Sequence, residues 1–541
     1  MGGQRDAQSL LDVLRWRARH RPSSAAVGYR QAVLTFADLD RESAALAAAL
    51  HRLGVQPGDR LALYLQSVPQ VLIAQYAAWK LGAIVVPLNI MFKASELAYH
   101  LADAGAVGIV CLEEDVPRVL PVAEGAGLKF VISTGADDYS GESSGSAAAP
   151  GPRGDSPLSW RELLAAHRGD PPPFHRPGAG DVAYLHYTSG TTGSPKGAMI
   201  THGNIMFNAR TYVKLGAIAS HDKILAAAPL FHITGTIGHL ALGCVAGIPI
   251  VLLYRFTPER ALEAIETWTT TFTIAAITAY IAMLDHLPGR RRRGMEAFRK
   301  TFSGGAPVYP AVVERWEQHT GGYIHNVWGM TETTSPGTWT PFGVRAPVDP
   351  DTGALSIGKP VPGTQVRIID ADTGQALPPG EVGEIAVRGP HVFAGYWSKP
   401  EETRAALQDG WLLTGDLGKM DRDGWVYWID RKKDLINASG FKVWPREVED
   451  VLHQHPAVRE AAVVAAPDAY RGETVKAVVV LHPEHRGRIR AEDIVQFCRE
   501  RLAAYKYPRV VEFRDELPRN PQGKVLKYLL REDGVRPAAG A

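Results

Sequence analysis

Between Tyr187 and Gly197 the chain reads Tyr-Thr-Ser-Gly-Thr-Thr-Gly-Ser-Pro-Lys-Gly. Its glycines let the backbone turn N–H groups toward an anion. The hydroxyls of Thr188, Ser189, Thr191 and Thr192 can hydrogen-bond phosphate oxygens, and Lys196 adds positive charge. The chemistry this suggests is polyphosphate binding. It is not a Walker loop, because the Gly-x4-Gly-Lys-Ser/Thr spacing is missing. A polar Gly/Ser linker is the plainer reading, but the mixed content between ordered segments argues against it. A nearby Gly178-Ala-Gly-Asp-Val-Ala183 loosely fits a dinucleotide fingerprint. It follows a proline-rich stretch and no strand, so it is set aside.

The elements that must position this loop follow an alternating pattern. Ala44–Leu53 and Gln70–Leu81 read as helices ended by Gly54 and Gly82. Arg60–Leu65, Ala83–Pro87, Val107–Cys111, Phe130–Ile132 and Val182–Tyr187 read as strands. Such alternation implies an α/β fold with mostly parallel sheets covered by helices. Residues 136–157 are rich in Gly, Ser, Pro and Ala and read as a mobile surface loop. From Gly358 to Val387, short strands with Gly/Pro turns suggest a small β-rich subdomain. After Arg431 the texture changes again. A helix over Glu447–His455, strands over Glu460–Ala465 and Val475–Leu481, and a helix over Ala491–Leu502 form a small α+β unit. The expected organisation is an N-terminal core over 1–430, a hinge at 431–434 and a mobile C-terminal domain over 435–541.

Bulk properties narrow the classes of partner. The 541 residues carry a formal net charge of only +2, so no global field points to nucleic acid or to a membrane surface. The three cysteines, Cys111, Cys244 and Cys498, match no metal spacing and no disulfide framework, which fits a reducing compartment. The first residues lack the apolar run of a secretory leader, and Leu10, Leu11, Leu14 and Trp16 are spaced as a short amphipathic helix. The apolar run Leu240–Tyr254 is too short to span a bilayer and is interrupted by Gly247 and Pro249. The expectation is a cytoplasmic protein with no transmembrane segment and no nucleic-acid partner.

Further motifs follow the first in a fixed order. They are Pro229-Leu-Phe-His-Ile-Thr-Gly235, Ser303-Gly-Gly-Ala-Pro307, Trp328-Gly-Met-Thr-Glu332 and Thr414-Gly-Asp416. Then come Asp430-Arg-Lys-Lys-Asp434, Ser439-Gly-Phe-Lys442 and Pro518-Arg-Asn-Pro-Gln-Gly-Lys524. As a set, from about residue 10 to 530, the chain resembles the adenylate-forming superfamily of acyl-CoA synthetases, luciferases and peptide-synthetase adenylation domains. It is most similar to fatty or other carboxylic acid–CoA ligases.

The resemblance implies ATP, Mg²⁺ and CoA as cofactors and assigns roles residue by residue. Thr188, Ser189, Gly190, Thr191, Thr192, Gly193 and Lys196 would hold the phosphates. Gly304, Gly305, Ala306, Asn326, Trp328, Gly329, Met330 and Thr331 would surround adenine and the acyl phosphate. Trp328 supplies an aromatic face where family members more often have tyrosine. Glu332 would hold Mg²⁺ as a hard oxygen ligand. Asp416 would accept from the ribose hydroxyls, and Arg431 would approach ribose or phosphate. Lys524 would offset the negative charge that builds up as a carboxylate attacks the α-phosphorus. His232 would orient or gate, with Thr188 beside the reaction centre. A rotation at Lys433 would withdraw Lys524 and bring in Ser439, Gly440 and Lys442 along a pantetheine channel.

The implied reaction is activation of a carboxylic acid to acyl-AMP, then transfer to CoA. The acid would sit near His232, Thr236, Thr278 to Tyr280, Gly304, Gly329, Met330 and Thr338. Phe231–Gly235 holds no acidic residue to pair a buried ammonium, which argues against an amino acid. Many aryl-CoA ligases carry a proline pair where this chain has Thr278-Ala-Tyr280, which puts an aryl acid in doubt. Tyr280 is expected to shorten or reshape the pocket, and a fatty or other hydrophobic acid leads. Loading of a carrier-protein phosphopantetheine on a separate chain is the alternative acceptor, and an inactive nucleotide-binding relative is the alternative class. The sequence leaves open a homodimer and the role of Arg290–Arg293, read as a solvated loop with a CoA-phosphate contact as the rival.

Overall fold

The structure, a computed structural model, describes residues 7–141, 156–188, 194–287, 293–370, 373–431, 434–438, 441–468, 472–519 and 525–532. Most of the expected loop at 136–157, and Arg290 to Arg292 of the basic run, lie outside them.

Two large sheets form the body. The first has seven strands, in the order Leu158–Ser159, Phe130–Thr134, Ala106–Leu112, Arg60–Tyr64, Ile84–Pro87, Val182–Thr188, Lys196–Thr201. All neighbours are parallel except the last pair. The helix Pro69–Lys80 is buried at every residue, as its almost uniformly apolar sequence requires. Its last residue, Lys80, ends beside the helix Phe36–Arg52, where its ammonium donates to the Asp40 carbonyl (2.6 Å), the Asp40 carboxylate (2.8 Å) and Ser43 Oγ (2.9 Å). That second helix opens on a capping box between Thr35 and Asp38.

The second sheet has nine strands, in the order Lys359–Pro360, Ser335–Trp339, Ile324–Met330, Lys300–Ser303, Phe272–Ala275, Ile224–Ala226, Ile250–Leu252, Ala25–Tyr29, Ala32–Thr35. Its centre is parallel and both ends turn antiparallel. The apolar run Leu240–Tyr254 is not one element. A π-helix over Thr236–Ala241, an α-helix over Leu242–Ala246 and the strand Ile250–Leu252 share it. Among the described residues no helix is long and apolar enough to cross a membrane.

Gln365–Ile369, Gly383–Arg388, Leu407–Gln408, Trp411–Met420 and Val426–Arg431 form an antiparallel sheet, which is the expected β-rich subdomain with three later strands added. A fourth sheet is built wholly from later residues: Ile436–Ala438, Phe441–Val443, Val458–Asp468, Gly472–Leu481 and Val510–Phe513. The helices Pro445–Leu452, Ala491–Arg499 and Lys527–Glu532 accompany it.

This last unit docks against the segment that follows the Ser303–Pro307 motif. The Arg446 guanidinium donates to the carbonyls of Trp428 (2.7 Å) and Val308 (3.3 Å). Tyr309 donates to Glu449 at 3.2 Å, and its ring lies 4.0 Å from that of His453. Glu449 also pairs with Lys527 at 2.8 Å, so the chain just beyond Lys524 is tied to the same helix.

Candidate active site

The hairpin Val182–Thr188/Lys196–Thr201 frames the expected phosphate-binding segment. Its register puts Thr188 opposite Lys196 and Tyr187 opposite Gly197. Ser189, Gly190, Thr191, Thr192 and Gly193 lie outside the described residues, but the two side chains that close the loop face each other. Tyr187 anchors the hairpin by donating to Asp103 at 2.7 Å. The outer edge of the second strand is not left open. Met199 N–H donates to the Gly395 carbonyl (2.9 Å), Ala394 N–H to Met199 (2.9 Å) and Trp397 N–H to Gly197 (2.8 Å). This pairing carries Tyr396 to the loop, where Lys196 Nζ sits 4.9 Å from its ring centroid.

The strand Ile324–Met330 delivers the next group of residues. Asn326 is buried and donates to the Ser356 carbonyl at 3.0 Å. Trp328 packs with Ile357, Val366, Ile385 and Val387, and its indole N–H donates to Asp416 at 2.9 Å. The indole is 7% exposed and Asp416 6%, so this charge-assisted bond in a dry setting is worth about 1.5–3 kcal/mol. Two residues singled out for separate tasks therefore touch. Arg431 lies directly across from Asp416 in the neighbouring strand.

Gly329 sits at a bulge in the pairing with Ser335–Trp339. A Cβ there would lie 1.5 Å from the Ser335 carbonyl oxygen, so only glycine fits. The turn that follows is tight. Thr334 and Ser335 take φ of 52° and 86°, strained values for residues with a side chain. Thr333 Oγ donates to the carbonyls of Met330 and Ser335. Asn208 donates to the carbonyls of Thr333 and Thr334, and Tyr212 shares a hydrogen bond with Ser335 Oγ. The turn holds Glu332, 5% exposed, where its carboxylate accepts from Tyr396 Oη at 2.7 Å. Burial first, and Glu332 second, raise the Tyr396 phenol well above its usual pKa.

Gly304 and Gly305 lie one strand away. A Cβ at Gly304 would meet the Val327 carbonyl oxygen at 2.5 Å, and Gly305 has φ +79°. Ala306 packs against the core cluster that holds Tyr309 and Trp316. His232 is half-buried, and its Nδ1 accepts from Thr234 N–H at 3.3 Å. Behind it, Thr236 Oγ1 bonds the Leu230 carbonyl and lies 3.2 Å from His186 Nε2. Burial, with His232 a lesser cause, pushes His186 down to about 3, so it is neutral.

One sequence expectation is corrected. Tyr280 does not shape the acid pocket. Its ring is fully buried, edge-on to Trp316 at 5.0 Å, and its hydroxyl donates to the Phe302 carbonyl at 2.7 Å. The helix Ile277–Asp285 turns this position toward the core. Lys433, Ser439, Gly440 and Lys524 lie outside the described residues, as do the side chains of Arg431 and Lys442. Sequence reasoning missed Tyr396, His186, Asn208 and Tyr212. Each acts on a motif from a distant segment, and no local spacing marks it.

The geometry has counterparts among known proteins. The AMP-binding enzyme family matches residues 14–397, and the AMP-binding enzyme C-terminal domain matches residues 447–524. A long-chain-fatty-acid–CoA ligase of Bacillus subtilis (strain 168) is 36% identical over 560 residues, spanning 97% of this chain and 94% of its own. A feruloyl-CoA synthase of an Amycolatopsis species is 37% identical over 516 residues, spanning 95% and 97%. The solved benzoate CoA ligase of Burkholderia xenovorans LB400 superposes with a TM-score of 0.84 at 28% identity, covering 97% of this chain and all of its own. The chain belongs to the AMP-binding enzyme family. Within it, the chain is an acid–thiol ligase of the acyl-CoA ligase type.

Tyr280→Phe tests the correction. Loss of the hydroxyl leaves the Phe302 carbonyl short of a partner and should lower stability by about 1–3 kcal/mol in urea unfolding, with the ranking of accepted acids unchanged. A changed ranking would put the phenol back in the pocket.

Proposed function

We propose that this enzyme converts a hydrophobic carboxylic acid, with a fatty acid first, into its CoA thioester through an acyl-adenylate. The observation that carries this reading is the line of contacts from Thr188 and Lys196 through Tyr396 to Glu332, four residues beyond the Trp328–Asp416 pair. It supplies cationic and hydroxyl groups for phosphates, a buried carboxylate beside them, and a carboxylate fixed by an aromatic ring where a ribose would lie.

In the first step a carboxylate oxygen of the acid bonds to the α-phosphorus. The bond from that phosphorus to the α–β bridging oxygen breaks, and pyrophosphate leaves. Lys196 holds the outer phosphates, and Lys524 offsets charge at the reacting oxygens. Glu332 is a hard oxygen donor whose setting fits Mg²⁺, an ion that keeps several waters and takes further ligands from phosphates. When bound, that ion neutralises phosphate charge. Thr188 lies at the loop mouth, and His232 orients the acid. In the second step a thiol attacks the acyl carbonyl, the carbonyl–oxygen bond breaks, and AMP leaves carrying that oxygen.

The two steps need different side chains at one place. We assign the exchange to rotation of residues 435–541 against 1–430 about 431–434, with Lys433 as pivot and Ser439–Lys442 entering as Lys524 leaves. The polar character of the docking at Arg446 and Tyr309 supports two separable bodies. CoA is the acceptor, and carrier-protein loading is the alternative. A cytoplasmic setting fits three unpaired, buried thiols. A second substrate reading, an aryl-propenoic acid, is favoured by the feruloyl-CoA synthase likeness and by Tyr280 lying in the core.

Two measurements test this. Across fatty, aryl and amino acids, kcat/KM for pyrophosphate release should be highest for a fatty acid, with acyl-CoA found by mass. An aryl optimum selects the second reading, and an amino-acid optimum contradicts both. Lys524→Ala should lower pyrophosphate release about 100-fold or more and largely spare thiolysis of supplied acyl-AMP. Equal loss in both steps would contradict the role given to Lys524.

A further inference from the structure

We propose that Tyr396 is a positioning residue that couples the phosphate-holding lysine to the metal-holding carboxylate, an inference that rests on the roles proposed above for Lys196 and Glu332. Tyr396 lies far in sequence from both. The chain brings it to them by a backbone device, the antiparallel addition of residues 394–397 to the edge of Lys196–Thr201, with Ala198 paired to Tyr396. A second anchor holds the same segment. Tyr396 N–H donates to Thr403 Oγ1 at 2.9 Å, and Phe393 N–H donates to the Glu332 carbonyl at 2.9 Å.

The side chain then serves two partners at once. Its hydroxyl donates to Glu332 Oε1 at 2.7 Å, and its ring face lies 4.9 Å from Lys196 Nζ. A hydrogen bond to one carboxylate oxygen fixes the rotamer of Glu332 and directs the carboxylate, which is how outer partners tune a metal ligand. The ring meanwhile attracts the ammonium and limits where it rests. A tyrosine does both tasks, a phenylalanine only the second, and a leucine neither. That difference separates positioning from mere packing.

The experiment uses the full chain and its Tyr396→Phe, Tyr396→Leu and Glu332→Gln variants. Calorimetry measures affinity for a non-hydrolysable ATP analogue with and without Mg²⁺, and pyrophosphate release is titrated with Mg²⁺. In Tyr396→Phe, the gain in affinity that Mg²⁺ brings should shrink about tenfold or more, while Mg²⁺-free affinity stays unchanged. Tyr396→Leu should lose Mg²⁺-free affinity as well. Thermal unfolding checks that the Phe variant is folded. If Glu332→Gln loses the Mg²⁺ gain and Tyr396→Phe keeps it, the Tyr396 proposal is overturned and the Glu332 role stands. If neither variant loses it, both fall.

Discussion

The site depends on one steric constraint, the close approach of Gly329 to the Ser335 carbonyl. With only 1.5 Å between that oxygen and where a Cβ would be, any side chain would force the two antiparallel strands apart. Those strands carry most of what the chemistry needs. On one side of the bulge, Trp328 is turned toward Asp416. On the other, the short turn through Thr331–Thr333 returns Glu332 to Tyr396. Strain at Thr334 and Ser335 is held by Asn208 and Tyr212, both on the helix His202–Leu215. That helix follows directly from the strand bearing Lys196. The hairpin bearing Lys196 and the Glu332 turn are thus braced by one continuous segment, so a shift in either would be felt by the other.

The architecture joins a large body and a small unit, each with its own sheets and apolar cluster. The two large sheets share a single hydrophobic cluster that runs from Ala7 to Leu412, and the Thr188–Lys196 hairpin and the Glu332 turn stand on strands of that body. The last sheet has its own apolar cluster from Ile436 to Tyr507. Among the described residues it meets the body through polar contacts at Val308 and Tyr309, just past the glycines that flank the proposed adenine site, and through the Arg459–Asp285 pair. Small domains joined by few, mostly polar contacts move relative to one another more readily than those sharing an apolar core.

Much of this was legible in the sequence, for identifiable reasons. The strands Arg60–Tyr64, Ile84–Pro87 and Ala106–Leu112 and the helix Pro69–Lys80 fall where apolar runs and terminal glycines put them. What stayed hidden was of two kinds. Short elements lacking a full period, such as Ile436–Ala438 and Val510–Phe513, carry too few residues to show one. Long-range pairings also left no local trace. Nothing near Tyr396 announces Glu332 or Lys196, and nothing near Tyr280 tells whether its helix turns it to the pocket or to Trp316. The family pattern places Tyr280 at the pocket, whereas tertiary packing sets it against Trp316 and the Phe302 carbonyl.

The central claim is that a carboxylate oxygen becomes bonded to the α-phosphorus of ATP. The most direct test is to supply the acid with both carboxyl oxygens as ¹⁸O, together with ATP, Mg²⁺ and CoA, and to weigh the products. Acyl-adenylate chemistry predicts one ¹⁸O in the phosphate of AMP, none in pyrophosphate, and one retained in the thioester carbonyl. Unlabelled AMP, or label in pyrophosphate, would contradict it.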